Sequence, residues 1–229
     1  MKRFQWFVRH KIITALIVIV IIIVAASSSS SKPKDSTSNR TSNPPASTAQ
    51  QESASSQPPA KPAERQVTGT AVTLGAGTFT GGQDVKAGLY DVTAPGQQGN
   101  FQVSGADEYN EILGGADLGV PKIRVQISSG DKIELSSLTA VTFTPVTAPF
   151  VTAHSAAQLY AGTWVVGQDI GAGRYVAKPG AGQSGNFITS GGTNEILGGQ
   201  YGVPQVTVNL SNGDIITISS LSEVDLTPQ

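Results

Sequence analysis

Leu74-Gly75-Ala76-Gly77-Thr78-Phe79 returns later in the chain as Leu159-Tyr160-Ala161-Gly162-Thr163-Trp164. Gly82-Gln83-Asp84-Val85-Lys86-Ala87-Gly88-Leu89-Tyr90 returns as Gly167-Gln168-Asp169-Ile170-Gly171-Ala172-Gly173-Arg174-Tyr175. Asn110-Glu111-Ile112-Leu113-Gly114-Gly115 returns unchanged as Asn194-Glu195-Ile196-Leu197-Gly198-Gly199. The offset stays near about 85 residues, so the unit of structure is defined before any strand is assigned. Each copy has about 75 residues, a length that buries a modest core and is marginal alone.

The copies read as all-β. Ile123-Arg124-Val125-Gln126-Ile127-Ser128 and Lys132-Ile133-Glu134-Leu135-Ser136 alternate apolar and polar residues, with Ser129-Gly130 between them. Val206 to Leu210 and Ile216 to Ile218 repeat the pattern around Asn212-Gly213. Asn-Gly between alternating runs predicts a hairpin, because a type I′ turn needs positive φ at both central residues. Its inward residues would be Ile123, Val125, Ile127, Ile133 and Leu135, matched by Val206, Val208, Leu210, Ile216 and Ile218. Further strands are expected at 77–80, 89–93, 101–104, 111–113 and 141–144. Their counterparts are 162–166, 174–177, 187–190, 195–197 and 224–226. Turn residues at such spacing predict two tandem β-sandwich or barrel-like modules.

Ile12 to Ala26 is a predominantly apolar run that no charge interrupts, behind Lys2, Arg3, Arg9 and Lys11. As helix it rises about 22 Å, against a hydrocarbon core of about 30 Å, and Ser27 to Ser31 can extend it. The reading is a single-pass anchor over residues 12–31 that partners the lipid bilayer through Ile12 to Ala26. Residues 1–11 are then cytoplasmic and the C-terminal part extracellular. A signal peptide cleaved after Val24-Ala25-Ala26 is the alternative. Residues 27–66 lack Val, Ile, Leu, Met and aromatic residues and predict a disordered stalk. A flexible coil of 40 such residues spans about 35 Å. Module one is then 67–146, a connector 147–156, and module two 157–229. The connector carries Phe150 and Val151 and is expected to pack against the modules or add a strand.

The Gly-Gln-Asp-(Val/Ile)-X-Ala-Gly-X-Tyr segment is the most distinctive motif. With Gly213-Asp214-Ile215-Ile216, the run Val166 to Tyr175 resembles a pattern of uncharacterised exported cell-surface proteins of Gram-positive bacteria. Copy one departs from it at Gly81, where the pattern has Val. The resemblance implies a β-rich extracellular module on a membrane tether and attaches no activity. From the residues themselves, Asp84 and Asp169 are expected to accept bonds from the amides that follow them in a turn. Gly88 and Gly173 would supply positive φ, and Tyr90 and Tyr175 would plant their rings in the core.

Composition narrows the function. Zero cysteines exclude a disulfide framework, a thiolate zinc site and a thiol nucleophile. From Val67 onward six basic and thirteen acidic residues give −7, which argues against nucleic acid as a partner. A metal site would draw on Asp84 with Asp131, or Asp169 with Asp214, too few oxygens for calcium. A catalytic triad would rest on His154, the one histidine after residue 26, with no Gly-X-Ser-X-Gly elbow. A glycosidase pair could be drawn only from Glu111 and Asp131. The reading is therefore a non-catalytic surface protein without a cofactor, binding glycan or protein. A structural spacer without a dedicated ligand is the alternative, and a hydrolase ranks third. Tyr160, Trp164 and Tyr201 are candidate binding residues, because copy one has no aromatic rings at 75 and 117 and only Phe79 opposite Trp164. Glu111 and Glu195 are candidates either for ligand contact or for holding loop amides.

Overall fold

The computed structural model describes residues 65, 67–106, 108–115, 119–147 and 153–229, all within a compact unit that begins at Ser56. The predicted anchor, the stalk apart from Arg65, and Phe150 and Val151 lie outside the described residues. Among the described residues there is no helix, and all the regular structure is β-strand.

The first repeat supplies β1 (Val72–Leu74), β2 (Gly77–Thr80), β3 (Gly88–Thr93), β4 (Gln98–Ser104), β5 (Tyr109–Gly114), β6 (Lys122–Ile127), β7 (Lys132–Ser136) and β8 (Val141–Pro145). The second supplies β9 (Ala157–Leu159), β10 (Gly162–Val165), β11 (Gly173–Pro179), β12 (Ser184–Thr189), β13 (Asn194–Gly198), β14 (Val206–Leu210), β15 (Ile215–Ser219) and β16 (Val224–Pro228). All ten further strands expected from the sequence are present, and β1 and β9 are additional.

Within the first repeat the strands pair as β1-β8-β3-β6 and β2-β7-β4-β5. The second repeat follows the same plan, with β9-β16-β11-β14 and β10-β15-β12-β13. Each repeat encloses its own apolar cluster between its two sheets. One is built around Tyr90, Phe101, Ile123, Ile133 and Phe143, the other around Tyr175, Phe187, Val208, Ile216 and Ile218. Tyr90 and Phe143 meet edge to face at 5.9 Å, and burying a ring of this size stabilises by about 2–3 kcal/mol.

The predicted hairpin is overturned. β6 pairs with β3, whereas β7 pairs with β2 and β4. Likewise β14 pairs with β11, whereas β15 pairs with β10 and β12. Each Gly-containing turn is an arch that carries the chain from one sheet to the facing sheet. The reason is parity. A two-residue hairpin over Ser129-Gly130 would set Ile127 opposite Lys132 and Gln126 opposite Ile133, so core residues would oppose exposed ones. Across an arch both apolar sets face one core, and Ile127 and Ile133 are fully buried. Gly130 and Gly213 keep the positive φ that the sequence demanded, at 92° and 96°. The inward residues are otherwise as expected, except that Val206 is half-buried at the margin of its core.

The Asp-Ala-Gly-Tyr signature is structural in both copies. Asp84 accepts from the Thr80 amide at 2.8 Å and Asp169 from the Val165 amide at 2.7 Å. Those amides precede the carboxylates rather than follow them. The Tyr90 and Tyr175 rings are fully buried, and their hydroxyls donate to the Lys86 and Gly171 carbonyls at 2.6 and 2.9 Å. Gly173 has φ 153°, but Gly88 is selected by space, since a β-carbon there would lie 2.7 Å from Gly69.

Candidate functional site

Tyr160 and Trp164, two of the residues that distinguish copy two from copy one, meet at the boundary between the repeats. β6 and β10 run parallel and pair at Arg124 and Gly162, fusing two four-stranded sheets into one of eight strands. The Arg124 amide donates to the Ala161 carbonyl at 2.9 Å. A β-carbon on Gly162 would lie 2.1 Å from the Arg124 carbonyl oxygen, so only glycine admits this approach.

Side chains lock the seam. Arg124 donates to both carboxylate oxygens of Asp91, at 3.0 and 3.3 Å, and its guanidinium lies 4.2 Å from the centre of the Trp164 ring. Burial works against the Arg124 charge, but the bonds to Asp91 outweigh it and hold its pKa above the usual value. The Tyr160 hydroxyl donates to Asp91 at 2.5 Å, and Trp164 Nε1 donates to the Tyr160 carbonyl at 2.9 Å. Burial, then the bond to Asp91, pushes the Tyr160 phenol well above its ordinary value. Lys122 Nζ sits 3.7 Å from the centre of the Tyr160 ring. Copy one has Gly75 and Phe79 where copy two has Tyr160 and Trp164. Copy two has Val176 and Thr207 where copy one has Asp91 and Arg124.

A second clasp comes from β5. Glu111 Oε2 accepts from the Ser220 amide of the other repeat at 2.6 Å, and Oε1 accepts from its neighbour Ile112 at 3.1 Å. Glu111 therefore does hold amides, one of them in the other copy. Burial raises its pKa, and these two amides only partly offset the effect. Tyr109 donates to the Ile218 carbonyl at 2.7 Å. Its phenol is raised by burial and then by the Glu111 charge.

A third contact ties in the chain ahead of the first repeat. Arg65 Nε lies 2.9 Å from Asp169 Oδ2, with both side chains almost wholly buried, and its Nη2 donates to the Thr163 carbonyl at 2.6 Å. The residue that leads into β1 is thus anchored on the second repeat.

The other predicted site residues scatter. Trp164 is only 4% exposed, whereas Tyr201 is 87% exposed in the loop after β13, so the three aromatics do not present one open face. Glu195 is half-exposed on β13, and among the described residues no donor reaches it. Asp131 accepts from the Ser128 and Ala106 amides, and Asp214 from the Ser211 amide and the Ser190 hydroxyl. His154 lies edge-on against Tyr175 at 4.7 Å, beside the Arg174 carbonyl. Sequence reasoning missed Asp91, Arg124 and Arg65. The first two were readable as positions where the copies disagree.

Two surface features remain. Ile188, Ile196 and Ile215 share the outer face of β12, β13 and β15 and are 38–48% exposed. The matching face of copy one carries Gln102, Ile112 and Lys132, with Lys132 paired to Glu134. A cleft of about 780 Å³ lies between Thr93, Pro95, Gln97, Gln98 and Pro121, with no titratable side chain among the described residues of its lining.

Comparison with known protein families, with curated proteins and with solved structures finds no match for this chain.

Proposed function

We propose that this chain is a membrane-tethered, extracellular, non-catalytic protein whose two tandem sandwich modules act as one rigid spacer in the cell envelope. The observation that carries this reading is the fate of Tyr160 and Trp164. The aromatics that made copy two look like a binder are committed to the seam between the repeats. Buried Arg65–Asp169 and Glu111–Ser220 contacts add to the stiffness, since none can rotate away without stranding a buried polar group. A stiff body on a polar stalk suits holding a surface at a fixed distance.

A second reading, binding of glycan or protein, is favoured by Tyr201, an exposed aromatic in the loop after β13 that has no aromatic counterpart in copy one. Retention of the full chain and of Tyr201→Ala on cell-wall polysaccharide separates the two. Equal retention supports the spacer, and loss in the variant supports binding. The tether is tested by cell fractionation and mass spectrometry of the mature N-terminus. Intact chain in the membrane fraction supports it, and chain in the medium beginning at Ser27 sinks it.

A further inference from the structure

The seam between the repeats is heterologous. The β6 edge of copy one meets the β10 edge of copy two, so the equivalent edges at the far sides of the two repeats are left over. They are β14 of copy two and β2 of copy one, each with only one strand neighbour among the described residues. Heterologous contacts between equivalent units propagate as rings or open chains unless something stops them.

The backbone half of the seam is retained at both free ends. Ala161 and Gly162 are buried, and their counterparts Ala76 and Gly77 are exposed on the free β2 edge. Ser220 has φ 60°, and its counterpart Ser137 has φ 62° and is exposed. Glu111 reaches the Ser220 amide, and its counterpart Glu195 stands half-exposed on β13 without a donor among the described residues. Each half of the Glu111–Ser220 clasp thus has an unengaged duplicate, Glu195 at one end and Ser137 at the other.

The side-chain half is lost. Thr207 replaces Arg124, Val176 replaces Asp91, Gly75 replaces Tyr160, Phe79 replaces Trp164 and Thr193 replaces Tyr109. Any contact at the free ends therefore lacks the ion pair, the cation–π contact and the phenol bonds of the internal seam.

From this pairing of duplicated halves we infer that the chain self-associates head to tail: Glu195 and the β14 edge of one molecule engage the Ser137 amide and the β2 edge of the next. The partner is a second copy of this chain. The contact is weaker than the internal seam and reversible, because only its main-chain and carboxylate elements remain. It does not depend on the membrane tether.

The chain has no cysteine, so introduced thiols report alone. Full-length Glu195→Cys and Ser137→Cys, carrying different tags, are mixed and treated with a short bismaleimide. The expected result is severalfold more mixed dimer than from Lys178→Cys with Ser137→Cys, Lys178 being exposed on β11. A single chain carrying both Glu195→Cys and Ser137→Cys should give a ladder of higher species. As a second readout, the rise of sedimentation coefficient with concentration should be weakened but not abolished in Glu195→Ala, because the β14 and β2 edges still meet without the carboxylate. Equal yields from the two mixtures, or sedimentation unchanged by Glu195→Ala, would overturn the inference and mark the copy-specific substitutions as caps that end the assembly.

Discussion

The Arg124 guanidinium lies 4.2 Å from the centre of the Trp164 ring while donating twice to Asp91, so one side chain joins two repeats. The Arg124 and Asp91 side chains are 15% and 24% exposed, so the pair is largely desolvated. Arg124→Leu leaves Asp91 and Tyr160 without their cation and should cost about 2–3 kcal/mol. Urea unfolding followed by tryptophan fluorescence and by circular dichroism checks it. The two probes should separate in the variant, because Trp164 reports the second repeat and the seam.

Gly162→Ala tests the backbone approach. Gly162 and Gly77 both have positive φ, at 132° and 155°, so alanine strains both sites. At Gly77 the nearest obstacle is the Phe79 ring at 3.2 Å, but at Gly162 it is the Arg124 main chain at 2.1 Å. Gly162→Ala should therefore be the more destabilising by about 1–3 kcal/mol, read from paired thermal melts. Amide exchange at Arg124 should speed up only in that variant.

Glu111 predicts a pH dependence with a defined sign. Burial raises its folded-state pKa above the unfolded value. The folded protein then binds more protons than the unfolded one between those two values, so stability falls as pH rises through that interval. Glu111→Gln keeps an acceptor for Ser220 and removes the charge. It should melt no lower than wild type at pH 7, and lower relative to wild type as pH approaches about 4.5. Glu111→Ala orphans the Ser220 amide and should be the less stable variant at every pH.

Arg65 and Asp169 behave differently, although burial also raises the Asp169 pKa against the pull of Arg65. Arg65→Ala strands a carboxylate whose side chain is 1% exposed and should cost about 3–5 kcal/mol. Pairing it with Asp169→Asn should recover part of that loss. Thermal melts of the two single variants and the double variant measure the coupling.

Strand positions were legible because alternation and turn glycines are local. The arch over Ser129-Gly130 was misread as a hairpin, although parity argues against a two-residue hairpin there. Ile127 and Ile133 can share a face across an arch and cannot in a two-residue hairpin. A positive-φ glycine serves either connection, so the turn signal alone points to the wrong partner strand. Trp164 and Tyr160 show a further limit. An aromatic that is present in one copy only marks a special position, but the sequence does not say whether the contact lies inside the chain or outside it.

The amino-acid sequence by itself determined the repeat unit, the two cores and the polar and apolar faces of each strand, because burial and turn geometry act over a few residues. Tertiary structure decided which strands pair and what the differences between copies are for. Pairing Arg124 with Gly162 brings together residues nearly forty positions apart, and Glu111 with Ser220 residues more than a hundred apart. Such contacts depend on how two folded sheets dock edge to edge, and no local pattern records that geometry.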